Sequence, residues 1–242
     1  MTIRGLLVAL QFLTRLPVPR VTDPSPDDLG RAAPWFPAAG LLIGLAVALA
    51  AAIGDLAGAW IAALLALLVW VAITGALHLD GLGDVADALG AAHSSPERFR
   101  AVLKDPHIGT FGVVAIVLQI SAKLVVLSQV PSMVLVPALV LVPAWARWGT
   151  LVWRVAVPPL GEGLAQSFQA GDRRWRASAA WALGHGVVSL AIEPALLLAL
   201  ATVPLIALYW RWRLGGMSGD CHGASIEVSE TLLLGYLVVV TA

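Results

Sequence analysis

Long apolar segments dominate this chain and decide what it can fold into. Of its 242 residues, 59% are hydrophobic and 12% are charged, and the mean hydropathy is +0.87. Soluble domains are far less apolar, whereas about 20 consecutive apolar residues allow a helix to cross a bilayer. We therefore predict an all-α, polytopic membrane bundle of about six or seven transmembrane helices, forming a single domain over residues 1–242. The predicted spans are 35–53, 60–79, 111–130, 134–153, 177–192, 194–210 and 224–242.

A short segment before the first span has a different pattern. Leu6, Leu10 and Leu13 fall on one helical face, and Pro17 follows them. This spacing predicts a helix that lies in the membrane interface. Arg15 interrupts the apolar run and no small-residue cleavage site follows, so the pattern is not typical of a secretory signal.

Basic residues in the connections fall on one side of the predicted spans. Lysine and arginine precede the first span and separate the second from the third, the fourth from the fifth and the sixth from the seventh. The positive-inside rule makes that side cytoplasmic, with the N-terminus inside and the C-terminus outside. This assignment needs a turn near Glu193, because a single kinked helix over 177–210 would move Arg211 and Arg213 to the other side.

Charge and cysteine content exclude other classes of protein. The formal net charge is zero, so nothing indicates a nucleic-acid partner. The lone cysteine, Cys221, excludes an internal disulfide.

Three aspartates follow the second span on one face of a predicted helix. Asp80, Asp84 and Asp87 are spaced i, i+4 and i+7. Carboxylates held this close repel one another, and a divalent cation such as Mg²⁺ relieves the repulsion. The alternative is the solvated face of an interfacial helix. Gly81 and Gly83 lie between them and predict that a bulky group approaches the backbone, since glycine costs a helix about 1 kcal/mol relative to alanine.

The loop before the third span carries a second set of candidates. Lys104 and His107 precede Gly109 and Thr110. A glycine turn before a helix presents backbone N–H groups to phosphate oxygens, and the lysine adds a positive charge. Glycine turns before helices are common, so the pattern does not by itself identify a phosphate site.

The start of the last span carries further carboxylates. Glu227 and Glu230 lie in an otherwise apolar segment, and with Asp220 they predict a second acidic cluster. Carboxylates in a span usually face a partner, a cavity or an ion, although near its end they also extend to the headgroups.

Two basic residues and three histidines leave their roles open. Lys123 and Arg147 lie in mid-span, where they either pair with carboxylates for packing or contact phosphates. His78, His93 and His185 are expected to be structural or interfacial. Acidic clusters with nearby cations at a membrane surface suit a magnesium-dependent reaction on a pyrophosphate.

The ordered set of motifs is similar to one enzyme family along the whole chain. The motifs are FLTRLPVP at 12–19, FPAAG at 36–40, LDGLGDVADAL at 79–89, KDPHIGTFG at 104–112 and GDCHGA at 219–224, with Glu227 and Glu230. Together they resemble the adenosylcobinamide-GDP ribazoletransferases, also called cobalamin-5′-phosphate synthases.

The resemblance implies a late step of cobalamin biosynthesis. The phospho-cobinamide moiety of adenosylcobinamide-GDP would pass to the 3′-hydroxyl of α-ribazole, or of its 5′-phosphate, with release of GMP. It also implies the bacterial inner membrane, and it is compatible with a homo-oligomer and with other cobalamin-assembly enzymes as partners. The implied roles are Mg²⁺ ligands for Asp80, Asp84 and Asp87, phosphate contacts for Lys104, His107, Gly109, Thr110 and Arg98 or Arg147, and a second cation site or proton acceptor for Asp220, Glu227 or Glu230.

Three alternatives differ from this interpretation in specific features. CDP-alcohol phosphotransferases carry an Ala-Arg pair after the first Asp-Gly, whereas Leu82, Gly83 and Asp84 follow here. Aspartate-rich prenyltransferases need a second DxxxD motif, which 220–230 matches poorly. A cation- or proton-coupled transporter would use a buried relay near the midplane, formed by Glu227, Glu230, Lys123 and Arg147, and often shows repeated halves, which this sequence lacks.

Overall fold

The structure, a computed structural model, describes residues 2–23, 25, 27–92, 95–161 and 175–242. Within these ranges the regular secondary structure is helical, apart from one isolated β-bridge that joins Pro159 to Met217. The all-α prediction is confirmed. The helices are α1 (Ile3–Leu13), α2 (Asp28–Ala32), α3 (Phe36–Asp55), α4 (Ala59–Thr74), α5 (Leu77–Ala92), α6 (Pro96–Val102), α7 (Thr110–Gln129), α8 (Ser132–Ala156), α9 (Trp175–Ile192), α10 (Ala199–Leu214) and α11 (Gly219–Thr241).

Helix α8 lies at the centre of the bundle and contacts α3, α9, α10 and α11. Gly40 and Gly44 allow α3 to approach it closely, since a Cβ at Gly40 would lie 2.6 Å from the Cα of Ala144. Small residues four apart serve this purpose between membrane helices, where van der Waals contact holds the helices together.

Five helical segments of the described chain are long and apolar enough to cross a membrane, and a sixth is added when α4 and α5 are taken as one bent span. The multi-pass prediction is confirmed to that extent. Helix α9 is long enough to cross a membrane, but it is less apolar than the five segments. The five are Asp28–Asp55, Thr110–Gln129, Ser132–Ala156, Pro194–Leu214 and Gly219–Thr241.

The second predicted span ends earlier than expected. Helix α4 stops at Thr74 rather than continuing to residue 79, and α5 leaves it at 85°. Gly75 and Ala76 both have positive φ, at 60° and 58°, which no α-helix accommodates. Arg15, just after α1, donates its backbone N–H to the carbonyl of Ile73 at 2.7 Å, so the N-terminal segment braces the bend.

Residues 175–214 form two α-helices, which are separated by extended Glu193 and a 3-10 helix over Pro194–Leu198. The indole N–H of Trp148 donates to the carbonyl of Ser178 near the start of α9, whereas Trp145 donates to Ser189 near its end. Helix α9 therefore runs opposite to α8.

Helix α10 also packs on α8, but it runs in the same direction as α8. Trp153 of α8 donates to the carbonyl of Val203, and Arg211 donates to the carbonyl of Ala156 further on. The two opposed helices agree with the predicted turn near Glu193 and exclude a single kinked helix.

Candidate active site

The beginnings of α5 and α11 cross closely and bring their aspartates together. A Cβ at Gly81 would lie 3.1 Å from the Cα of Asp220, and one at Gly223 would lie 3.4 Å from the Cα of His78. The small residues of α5 predicted that a bulky group approaches this helix. At Gly81 that group is the backbone of α11, and not a ligand.

Four carboxylates, which we call the aspartate cluster, meet at this crossing. Asp84 lies within electrostatic reach of Asp80, Asp87 and Asp220. Asp80 is exposed and the other three are half-buried. In the part of the chain that the structure describes, no lysine, arginine or histidine forms an ion pair with any of the four. The cluster thus concentrates negative charge without a described counter-ion.

Asp87 has a distinct position within the cluster. One carboxylate oxygen accepts the N–H of Gly109 at 2.7 Å and the other accepts the N–H of Gly112 at 2.9 Å. These contacts satisfy backbone donors at the start of α7 that have no partner within the helix. Asp87 therefore anchors the loop before α7 to α5.

Asp80 and Asp84 are the cluster members best placed for a cation. Neither carboxylate accepts a hydrogen bond from any group that the structure describes. Over the same residues, no set of three histidine, cysteine or acidic side chains is already arranged to hold a metal ion. Mg²⁺ does not need such a cage, because it keeps several waters and commonly uses one or two carboxylates plus substrate phosphates.

The loop before α7 presents its polar side chains to solvent. Lys104 and His107 are exposed, and the Nδ1–H of His107 donates to Asp105 at 2.7 Å. This hydrogen bond holds the pKa of Asp105 below its usual value. Gly109 precedes the first residue of α7, the exposed Thr110.

Arg98 of α6 is also exposed, and its Nε donates to the carbonyl of Ala91 at 3.0 Å. It ties α6 to the end of α5 and touches none of the four aspartates in the described structure.

A second group of charged side chains, the buried ion-pair network, consists of Lys123, Arg147, Glu227 and Glu230. Lys123 donates to Glu227 at 2.7 Å and to Glu230 at 2.8 Å, and Arg147 donates to the other oxygen of Glu230 at 2.7 Å. No side chain of the four is more than 6% exposed. Two positive and two negative charges leave the network neutral.

This network corrects the predicted grouping of the last span. Glu227 and Glu230 do not form one acidic cluster with Asp220, because helix α11 directs them to α7 and α8 while Asp220 lies beside Asp80. They also do not extend to the headgroups. Lys123 and Arg147 pair with carboxylates, as the first of their two predicted alternatives has it.

An apolar cavity of about 140 Å³ adjoins the aspartate cluster. Phe12 of α1 and Phe36 of α3 line it, and so do Asp80, Asp220 and His78. The sequence motifs assigned no role to either phenylalanine, and His78 was predicted to be structural or interfacial. The signal was present, since both aromatic residues belong to N-terminal motifs that carry the family resemblance. His93 lies outside the described residues.

Comparison with known proteins agrees with that resemblance. The sequence model of the family described as cobalamin-5-phosphate synthase matches residues 5–238. The chain belongs to the cobalamin-5-phosphate synthase family. Family membership makes it an enzyme, as predicted, rather than a transporter. No solved structure matches the chain.

Curated relatives cover the chain almost completely. It is 49% identical to an adenosylcobinamide-GDP ribazoletransferase of Thiobacillus denitrificans, over 96% of this chain and 93% of the relative. It is 50% identical to the enzyme of that name in Novosphingobium aromaticivorans, over 96% and 94%. A counterpart in Pseudomonas aeruginosa is 37% identical over 96% of each chain.

Proposed function

We propose that this cobalamin-5-phosphate synthase family member transfers the phospho-cobinamide moiety of adenosylcobinamide-GDP to the 3′-hydroxyl of α-ribazole or α-ribazole 5′-phosphate. The observation that carries the proposal is a group of four carboxylates, without described counter-ions, beside an apolar cavity. The names of the relatives support the choice of substrates.

The reaction replaces a phosphoanhydride bond with a phosphoester bond. The 3′-oxygen of ribazole attacks the phosphorus bound to cobinamide, and the bond from that phosphorus to the bridging oxygen breaks, so that GMP leaves. The hydroxyl proton passes to a carboxylate. We assign this acceptor to Asp220, because Glu227 and Glu230 already bind Lys123 and Arg147 whereas Asp220 lines the cavity.

Mg²⁺ would be held by Asp80 and Asp84. Their carboxylates accept no hydrogen bonds from described groups and lie near two further negative charges, which fits the preference of this ion for oxygen ligands. When bound, the ion would neutralise the charge of the phosphate oxygens during transfer. Asp87, predicted as a third ligand, would act instead by holding the loop before α7.

Phosphate contacts would come from that loop. Its exposed Lys104 and His107 face solvent, where a large diphosphate substrate has access, and Asp87 keeps the loop against α5. Gly109 and Thr110 would supply backbone and hydroxyl donors. Arg147 is not assigned to phosphate, because it is fully buried against Glu230.

We further propose that the aspartate cluster lies on the cytoplasmic side of the bacterial inner membrane, with a cytoplasmic N-terminus. The distribution of basic residues supports this orientation. Reporter fusions at residue 23 and in the connection near residue 57 test it. A cytoplasmic signal at the first and an external signal at the second are expected, and the reverse pattern would contradict the orientation.

The reaction is tested with detergent-solubilised protein given adenosylcobinamide-GDP, α-ribazole and Mg²⁺. Corrinoid product and GMP should appear in equal amounts and disappear when the metal is chelated. Asp84→Asn tests the cluster, and Asp55→Asn, at the far end of α3, is the matched control. Folded wild-type protein that forms neither product would refute the proposed activity.

A further inference from the structure

His78 is one of three uncharged polar side chains that line the apolar cavity, together with Thr150 and His222. It is 3% exposed and lines the cavity. Its Nδ1 lies 3.3 Å from Nη2 of Arg147, the fully buried arginine that also binds Glu230. The buried ion-pair network therefore holds the imidazole ring in one orientation.

The contact with Arg147 decides where the His78 proton resides. A guanidinium group carries donors and no acceptor, so Nδ1 of His78 must accept. A neutral ring that accepts at one nitrogen carries its proton on the other, so Nε2 is a donor. No described residue accepts from Nε2. Since His78 lines the cavity, this donor is available to a ligand bound there.

The cavity walls select the kind of ligand that such a donor would meet. Phe12 and Phe36 are stacked, with ring centroids 5.9 Å apart and an interplanar angle of 21°. The cavity is partly open and has a volume of about 140 Å³, close to the roughly 150 Å³ of apolar space that takes up a benzene ring. It therefore encloses one ring of a fused aromatic system, and the other ring lies at the opening. These features suit a flat, mostly apolar ring system with few polar atoms.

We propose that the cavity binds the benzimidazole base of ribazole and that Nε2 of His78 donates a hydrogen bond to its free ring nitrogen. This inference rests on the proposed function and deepens it. The base has one acceptor nitrogen for the His78 donor, and its apolar remainder suits the apolar walls of the cavity. The attached ribose then extends toward Asp80 and Asp220, which line the same cavity.

The other substrate groups match the cavity less well. Guanine carries several donors and acceptors, which an apolar pocket would leave without hydrogen-bond partners. The corrin ring is too large for a space of about 140 Å³. Adenosylcobinamide-GDP is therefore assigned to the exposed side of the aspartate cluster.

This assignment gives the buried ion-pair network a function. Arg147 acts as a positioning residue, because it fixes the tautomer and the orientation of His78 without touching the substrate. Glu230 in turn holds Arg147 at 2.7 Å.

The test compares α-ribazole with its indole analogue, in which C–H replaces the acceptor nitrogen. Wild-type protein should bind α-ribazole about tenfold more tightly, the usual effect of one hydrogen bond. His78→Phe should raise the KM for α-ribazole by a similar factor, remove the discrimination and leave the KM for adenosylcobinamide-GDP unchanged. His78→Gln, which keeps a donor, should retain part of the preference.

Direct binding of both ligands to wild-type protein separates this inference from the proposed function. Equal affinities for α-ribazole and the indole analogue would overturn the inference even when His78 variants fail to fold. Discrimination that persists in folded His78→Phe, or a rise in KM for adenosylcobinamide-GDP alone, would overturn it as well. Discrimination in binding without any turnover would instead support the base site and refute the proposed reaction.

Discussion

The aspartate cluster and the buried ion-pair network use the same functional group in opposite ways. Both place carboxylates of α11 against neighbouring helices, a few turns apart. In the network each glutamate binds a described cation, and the whole is buried and neutral. In the cluster four aspartates have no described counter-ion and Asp80 is exposed. Pairing and burial, and not residue type, therefore distinguish a structural carboxylate from one that is available for chemistry.

The largest effect is expected from a substitution that breaks the buried ion-pair network. Glu230→Gln leaves Lys123 and Arg147 with one carboxylate between them, and an uncompensated buried charge costs about 3–5 kcal/mol. We expect a large loss of thermal stability in detergent. The double variant Lys123→Met with Glu227→Gln removes one charge of each sign and should lose less. Equal losses in both variants would contradict the charge-balance interpretation.

The second effect concerns the cluster and should spare stability. Asp84→Asn keeps the shape of the side chain and removes its charge, so turnover should fall on the order of 10²–10³-fold. The melting temperature should stay near that of wild type, because no described group depends on this carboxylate. Turnover and melting temperature are measured on the same variant. Low turnover at an unchanged melting temperature would show that Asp84 takes part in the chemistry, whereas an unstable but active variant would show that it is a structural carboxylate.

A third prediction separates Asp87 from Asp80 and Asp84. Asp87→Asn weakens the charge-assisted bonds to Gly109 and Gly112, at a cost of about 1–3 kcal/mol. We expect faster amide hydrogen exchange in the loop before α7 and an unchanged apparent affinity for Mg²⁺. A lowered Mg²⁺ affinity equal to that of Asp80→Asn would make Asp87 a ligand after all.

The smallest effect tests the crossing of α5 and α11. Gly81→Ala places a Cβ 3.1 Å from the Cα of Asp220, so α11 must shift by a few tenths of an ångström. We expect a severalfold loss of turnover as Asp220 moves from Asp80. Gly235→Ala in the same helix α11 meets nothing within 4 Å and should gain up to about 1 kcal/mol of stability with normal turnover.

Local patterns explain what was predictable. Asp80, Asp84 and Asp87 share a helix face because their spacing follows the helical repeat, and the structure keeps that helix. Its direction was not predictable, since the apolar run continues to Leu79 while the chain bends at Gly75 and Ala76.

Hydropathy and helical periodicity are local properties, so the amino-acid sequence was enough to predict the membrane bundle and the candidate carboxylates. Its ordered motifs were enough to indicate the family. Only the tertiary structure decided which of those carboxylates are neutralised. Lys123 meets Glu227 across 104 positions of the chain, and Arg147 reaches Glu230 and His78 from a third helix. Ion pairing depends on distances of a few ångströms between groups remote in sequence, and those distances arise when the helices pack.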